Sequence, residues 1–133
     1  GRITLRQIQE VLSEYVDAIV IRTLPNTEVK KATNWSSSNW SYLTEEAAAY
    51  LAKLGVKHLL IDLPSVDREF DNGLLLAHHA FWNHPEATRF DATITEMIYV
   101  PNKIKDGDFF LNLQPASFVN DASPCKPVLY SVV

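Results

Sequence analysis

Two short apolar runs, Ala18-Ile19-Val20-Ile21 and His58-Leu59-Leu60-Ile61, bracket a capped amphipathic helix, and this pattern constrains the fold more than any other feature of the chain. Runs without polar alternation belong to strands covered on both faces, the condition of a parallel sheet. Between them Thr44 stands as an N-cap, with Glu45 and Glu46 in the first turn, where carboxylates favour the positive end of the helix dipole. Ala47, Tyr50, Leu51 and Leu54 give the helix an apolar face. Gly55 follows in the C′ position, with Val56 beside it to make the accompanying hydrophobic contact. Strand, helix and strand in this order predict a right-handed β–α–β unit, with parallel strands over 17–24 and 57–62.

The flanking segments add to this frame. Thr4 and Gln7 have the spacing of a capping box, and Leu5, Ile8, Val11, Leu12 and Tyr15 recur at helical spacing, so a helix is predicted over 5–14. Residues 25–43 are long for a connection and carry Trp35 and Trp40 among serines and asparagines, the character of a lid or an interface. After the second strand, Asp62, Asp67, Glu69 and Asp71 leave a carboxyl-terminal strand edge, which is where open α/β sheets hold ligands. Asp71 or Asn72 is positioned to cap a third helix over about 73–82, residues 83–91 read as a loop, and strands are predicted over 93–100, 109–113 and 127–132.

Composition excludes several function classes. A chain of 133 residues, 47% hydrophobic, suits a single α/β domain over 1–133. A net charge of −4 with no Lys/Arg cluster lacks the phosphate-neutralising patch of a nucleic-acid binder. No apolar run approaches the roughly 20 residues that span a bilayer, so no membrane role is expected. The lone Cys125 excludes an internal disulfide and a Cys-rich zinc site, and fits a reducing, cytoplasmic setting. There is no Gly-rich phosphate loop, no Gly-x-Ser-x-Gly elbow and no His-Glu-x-x-His, and nothing pairs Cys125 with a base.

What remains for chemistry lies between Ile61 and Glu96. In a strand over 93–100, Glu96 shares a face with Ile94, Ile98 and Val100. A carboxylate there either meets a cation, a metal or strong donors, or points to water from an edge strand. His78 and His79 are adjacent on a helix and diverge by roughly 100°, so only one of them can serve a given site. A histidine and a glutamate make a plausible pair of metal ligands, yet two ligands alone do not hold zinc. His58 at a strand start and His84 in a polar loop read as structural.

These residues resemble the cyclase-like metal-dependent hydrolases, the family that includes bacterial kynurenine formamidase and isatin hydrolase. The resemblance rests on Val20-Ile21-Arg22-Thr23, on Leu43 to Ala48 and Leu54-Gly55-Val56, on Ile61-Asp62-Leu63-Pro64-Ser65-Val66-Asp67, on His78-His79-Ala80-Phe81, on Glu96 and on Ser123-Pro124-Cys125-Lys126-Pro127-Val128. It implies a swivelling β/β/α-type fold, a mixed sheet with flanking helices. It also implies hydrolysis of a formamide-like or cyclic amide in a small-molecule substrate, with water activated at a zinc or manganese ion. His78 and Glu96 match the family's late metal ligands. The interval between them is lengthened around 83–91, and the family's upstream His-x-Gly-Thr-His-x-Asp motif has no counterpart, since no histidine precedes His58. The expectation is therefore the C-terminal half of a longer hydrolase, inactive alone and prone to form a homo-oligomer through uncovered apolar surface and open sheet edges. The competing expectation is a non-catalytic module that binds a partner through the Trp35/Trp40 loop.

Overall fold

In the computed structural model, which describes residues 1–12, 14–23 and 25–132, the bracketed helix and its two strands form as their pattern requires. In chain order the elements are β1 (Arg2–Ile3), α1 (Leu5–Val11), β2 (Ala18–Ile21), α2 (Glu28–Lys31), β3 (Tyr42–Leu43) and α3 (Glu45–Lys53). They continue with β4 (His58–Ile61), α4 (Leu76–Trp82), β5 (Thr93–Thr95), β6 (Phe109–Pro115) and β7 (Cys125–Ser131). Residues 1–100 form one compact unit and 101–133 another.

In the first unit β4 pairs in parallel with β2 on one side and with β5 on the other. A strand paired on both sides is the one an aliphatic run is made for, and Leu59, Leu60 and Ile61 are buried to within 1% exposure. The small Ala47 and Ala48 of α3 are fully buried and join Leu51, Val56, Ala77 and Phe81 in one core cluster. The N-terminal capping box forms, with Gln7 N–H donating to Thr4 Oγ1 and Thr4 N–H donating back to Gln7 Oε1 at 2.8 Å. A short parallel pair, β1 with β3, lies outside the main sheet.

Several boundaries differ from the sequence reading. The first helix ends at Val11 rather than 14, where Leu12 is already extended (φ −132°, ψ 102°). Ser13 lies outside the described residues, as does Leu24 of the predicted first strand. The strand expected over 93–100 stops at Thr95, because Met97 takes a left-handed conformation (φ 55°) that a strand cannot continue through. The helix expected from 73 begins at Leu76, since Asp71 is spent on the turn before it, accepting from the N–H groups of Gly73 and Leu75. In the second unit β6 and β7 pair antiparallel from Phe109↔Ser131 to Pro115↔Cys125, two residues longer at the loop end than predicted on each strand. Among the described residues no helix is long and apolar enough to cross a membrane.

The lengthened interval is an ordered turn rather than a slack loop. Its backbone closes through Ala87 N–H to Asn83 O (3.0 Å) and Arg89 N–H to Trp82 O (2.9 Å). The Arg89 guanidinium then donates to Phe81 O at 2.8 Å and Val56 O at 2.6 Å while lying 5.1 Å over the Phe81 ring. One planar fork thus joins the end of α4 to the connection between α3 and β4. Arg89→Ala is expected to lower stability by about 2–4 kcal/mol, since hydrogen bonds to charged groups contribute about 1.5–3 kcal/mol each. Arg89→Lys should recover only part of that, because one ammonium cannot reproduce the fork; urea denaturation of the two variants checks both outcomes.

Candidate metal centre

Everything at the site follows from the end of β4. Asp62, the first residue beyond it, has a fully buried side chain that accepts from Thr23 N–H (2.9 Å), Thr23 Oγ1 (2.8 Å) and Lys30 Nζ (2.7 Å). Lys30 reaches it from α2, a turn too short to show periodicity in the sequence, and also donates to Asn26 Oδ1 at 2.6 Å. This pair pins the segment after β2 onto the carboxyl end of β4. Beside it lies a cleft of about 250 Å³, walled in part by Lys30, Trp35, Asp62, Pro64, Met97 and Tyr99.

Five residues on, Asp67 does a different job. It is 4% exposed. Its Oδ1 accepts from Ala77 N–H at 2.7 Å, and its Oδ2 accepts from His78 N–H at 3.2 Å and lies 2.6 Å from His78 Nδ1. Trp40 holds the same loop from outside, its Nε1–H donating to Asp67 O at 3.0 Å.

The other ring nitrogen of His78, Nε2, lies 3.4 Å from Glu96 Oε1. Glu96 follows β5 directly instead of standing inside a strand, and of the two alternatives the first holds: its side chain is 28% exposed and turned inward, accepting from Val66 N–H at 2.9 Å. His78 packs against Trp82 with ring centroids 5.2 Å apart. Burial opposes its charge, but the hydrogen bonds and charges of Asp67 and Glu96 outweigh that and raise its pKa to about 9. Burial likewise works against the Asp67 carboxylate, and the donors of His78 and Ala77 hold its pKa below the ordinary value.

The donor set fits a divalent metal as two of its ligands. At zinc–nitrogen and zinc–oxygen distances of about 2.0–2.2 Å, two tetrahedral ligands stand about 3.4 Å apart, which is the separation of Nε2 and Oε1 here. The Nδ1–carboxylate contact is the outer support that metal-ligating histidines usually have. Among the described residues, no group of three or more His, Cys, Asp or Glu side chains is placed to hold a metal ion.

Of the adjacent histidines, His78 faces the acids while His79 is exposed and lies edge-on to His84, with centroids 5.2 Å apart. His58 Nδ1 meets Thr93 Oγ1 at 2.9 Å and His84 Nδ1 meets Thr88 Oγ1 at 3.1 Å, both structural contacts. Cys125 opens β7 as a free, half-buried thiol in the second unit. The Asp67 contacts and the Lys30–Asp62 pair were not readable from the sequence, which showed both acids at the right edge and neither partner.

No protein-family model matches the chain. It is 28% identical over 128 residues to a kynurenine formamidase of Bacillus cytotoxicus, covering 96% of this chain and 56% of that protein. It is 30% identical over 123 residues to a kynurenine formamidase of Bordetella avium, covering 92% of this chain and 55% of the relative. The chain therefore spans about half the length of these relatives. A predicted metal-dependent hydrolase from Bacillus stearothermophilus superposes with a TM-score of 0.68 at 20% identity, over 96% of this chain and 56% of that one. A potential metal-dependent hydrolase with cyclase activity gives 0.67 at 20% identity, over 96% and 57%. By sequence and by α/β fold the chain is related to the cyclase-like family, over a part of those proteins' length.

The Lys30–Asp62 pair makes a test of the site's scaffold. Removing one partner of a buried pair costs about 3–5 kcal/mol, whereas replacing both is far less harmful. Lys30→Met is expected to destabilise the chain by that amount and Lys30→Met with Asp62→Asn by clearly less, in a double-mutant cycle followed by urea denaturation.

Proposed function

We propose that this chain carries one side of the metal centre of a hydrolase that cleaves a formamide-like or cyclic amide in a small molecule. The observation that carries the proposal is the convergence of His78 Nε2 and Glu96 Oε1 at 3.4 Å with His78 Nδ1 anchored on Asp67. Similarity to proteins named kynurenine formamidase supports the amide class. His78 and Glu96 would hold a divalent zinc or manganese ion, with the remaining ligands supplied by further sequence of a longer parent of which 1–133 is one part. Such an ion supplies Lewis-acid polarisation of a carbonyl and lowers the pKa of water.

The chain's own residues do the rest. Val66 N–H fixes the Glu96 carboxylate, and the Asp67 loop fixes the imidazole. The cleft lined by Asp62, Pro64 and Met97 is assigned the body of the substrate, with Trp35 and Tyr99 as aromatic walls. On this reading the chain by itself would be inactive, because a catalytic zinc takes three protein ligands and the reading assigns two. Self-association into a homo-oligomer belongs to the same reading, supported by the exposed Phe70, Leu74, Leu75 and Leu76 that lead into α4.

Metal content and turnover of a small formamide and lactam panel, measured on the complete protein, test this. His78→Ala and Glu96→Ala should each lose metal and activity together, by more than the about 10–100-fold that outer supports cost. Unchanged metal content in both variants would overturn the assignment. Trp35→Ala should raise KM several-fold with kcat nearly unchanged, as expected for a wall that binds substrate and transition state alike.

A further inference from the structure

The first turn of α4 has no cap of its own. Its N-cap position is Leu75, in the left-handed region (φ 45°, ψ 46°), and it offers no side-chain hydrogen bond. The N–H groups of Ala77 and His78 at that helix start are answered instead by Asp67, from a loop ten residues upstream. The same carboxylate meets His78 Nδ1, and at 2.6 Å that is the shortest of its contacts. An ionised carboxylate only accepts, so whatever faces it must donate. The backbone N–H groups of Ala77 and His78 both point at Asp67, so its two oxygens are placed as acceptors.

We infer that Asp67 is a positioning residue that locks neutral His78 in the Nδ1–H tautomer, leaving the Nε2 lone pair free toward Glu96. The lock is built into the fold, because the carboxylate that selects the tautomer is also the cap that starts the helix carrying the ring. Ring orientation, tautomer and helix start are therefore set together, which a separate cap at position 75 would not achieve. The inference deepens the metal-centre reading above, but its primary readout needs no metal.

Asp67→Asn tests it with nearly unchanged shape. The amide oxygen keeps the 2.7 Å bond from Ala77 N–H, the shorter of the two backbone bonds, so the amide NH₂ faces Nδ1. Nδ1 must then accept, the proton moves to Nε2, and Nε2–H donates to Glu96 instead of offering a lone pair. In complete protein labelled with ¹⁵N-histidine and held at alkaline pH so that the ring is neutral, the wild type should show His78 as Nδ1–H. Asp67→Asn should show Nε2–H, with zinc affinity lowered about 10–100-fold. A wild-type ring protonated at Nε2 overturns the inference. So does an Asp67→Asn protein that loses urea stability yet keeps the Nδ1–H tautomer and wild-type zinc affinity, since Asp67 would then be a cap and nothing more. An Nδ1–H wild type that takes up no zinc upholds the lock while overturning the metal reading, so the two can fail separately.

Discussion

The double-sided parallel pairing of β4 is the constraint on which the rest of the structure depends. Parallel neighbours must be reached by crossovers, so the chain leaves β2, β4 and β5 at the same edge of the sheet. That common edge collects Thr23 after β2, Asp62 to Asp67 after β4 and Glu96 after β5 within contact range of one another. No local propensity of Glu96 or Asp67 would bring them together. The register of three short strands does it.

Within that edge the division of labour between Asp62 and Asp67 is informative. Both are buried, yet one meets a lysine and a threonine and the other meets a helix start and a histidine. A buried ion pair such as Lys30–Asp62 adds little net stability over apolar residues of the same size. Its value is positional, because it fixes where the segment after β2 crosses the sheet edge and so where the cleft wall stands. Asp67 is positional in a second sense, since its carboxylate ties a backbone feature to a side-chain ring.

How much of this was legible in the sequence follows from the range of the interactions. The β–α–β unit was legible because capping, amphipathicity and apolar runs are local, and Thr44, Gly55 and Leu59 each act within a few residues. The resemblance and the helix geometry together favoured His78 over His79, and the structure turns His78 to the acids while His79 stays exposed. The start of α4 was misread because its cap comes from Asp67 rather than from Asp71 or Asn72, and a partner ten residues away leaves no local signature. Glu96 was assigned to a strand interior because alternation continues through Ile98 and Val100 in the sequence. The backbone breaks at Met97, so the carboxylate's direction is set by Val66 N–H and not by the pleat.

That break and the one at Leu75 are the same physical device used twice. A non-glycine residue in the left-handed region costs about 1–3 kcal/mol and persists only where its surroundings over-determine it. Leu75 is held by its N–H bond to Asp71 Oδ2 at 2.7 Å, and Met97 by its N–H bond to Leu63 O at 2.8 Å. One precedes His78 by three residues and the other follows Glu96 immediately. Both side chains are left in the open, Leu75 at 42% and Met97 at 66% exposure, so neither conformation is repaid by apolar burial. What each conformation accomplishes is an abrupt end to regular structure beside the residue that must point inward. An ordinary strand through 93–100 would leave the direction of Glu96 to the pleat rather than to the Val66 N–H. A helix begun at 73 would leave Ala77 and His78 N–H with intrahelical partners and Asp67 without its cap. Ser37, Asn72 and Asn83 also take positive φ, but Leu75 and Met97 stand at the two points where regular structure would dismantle the pair.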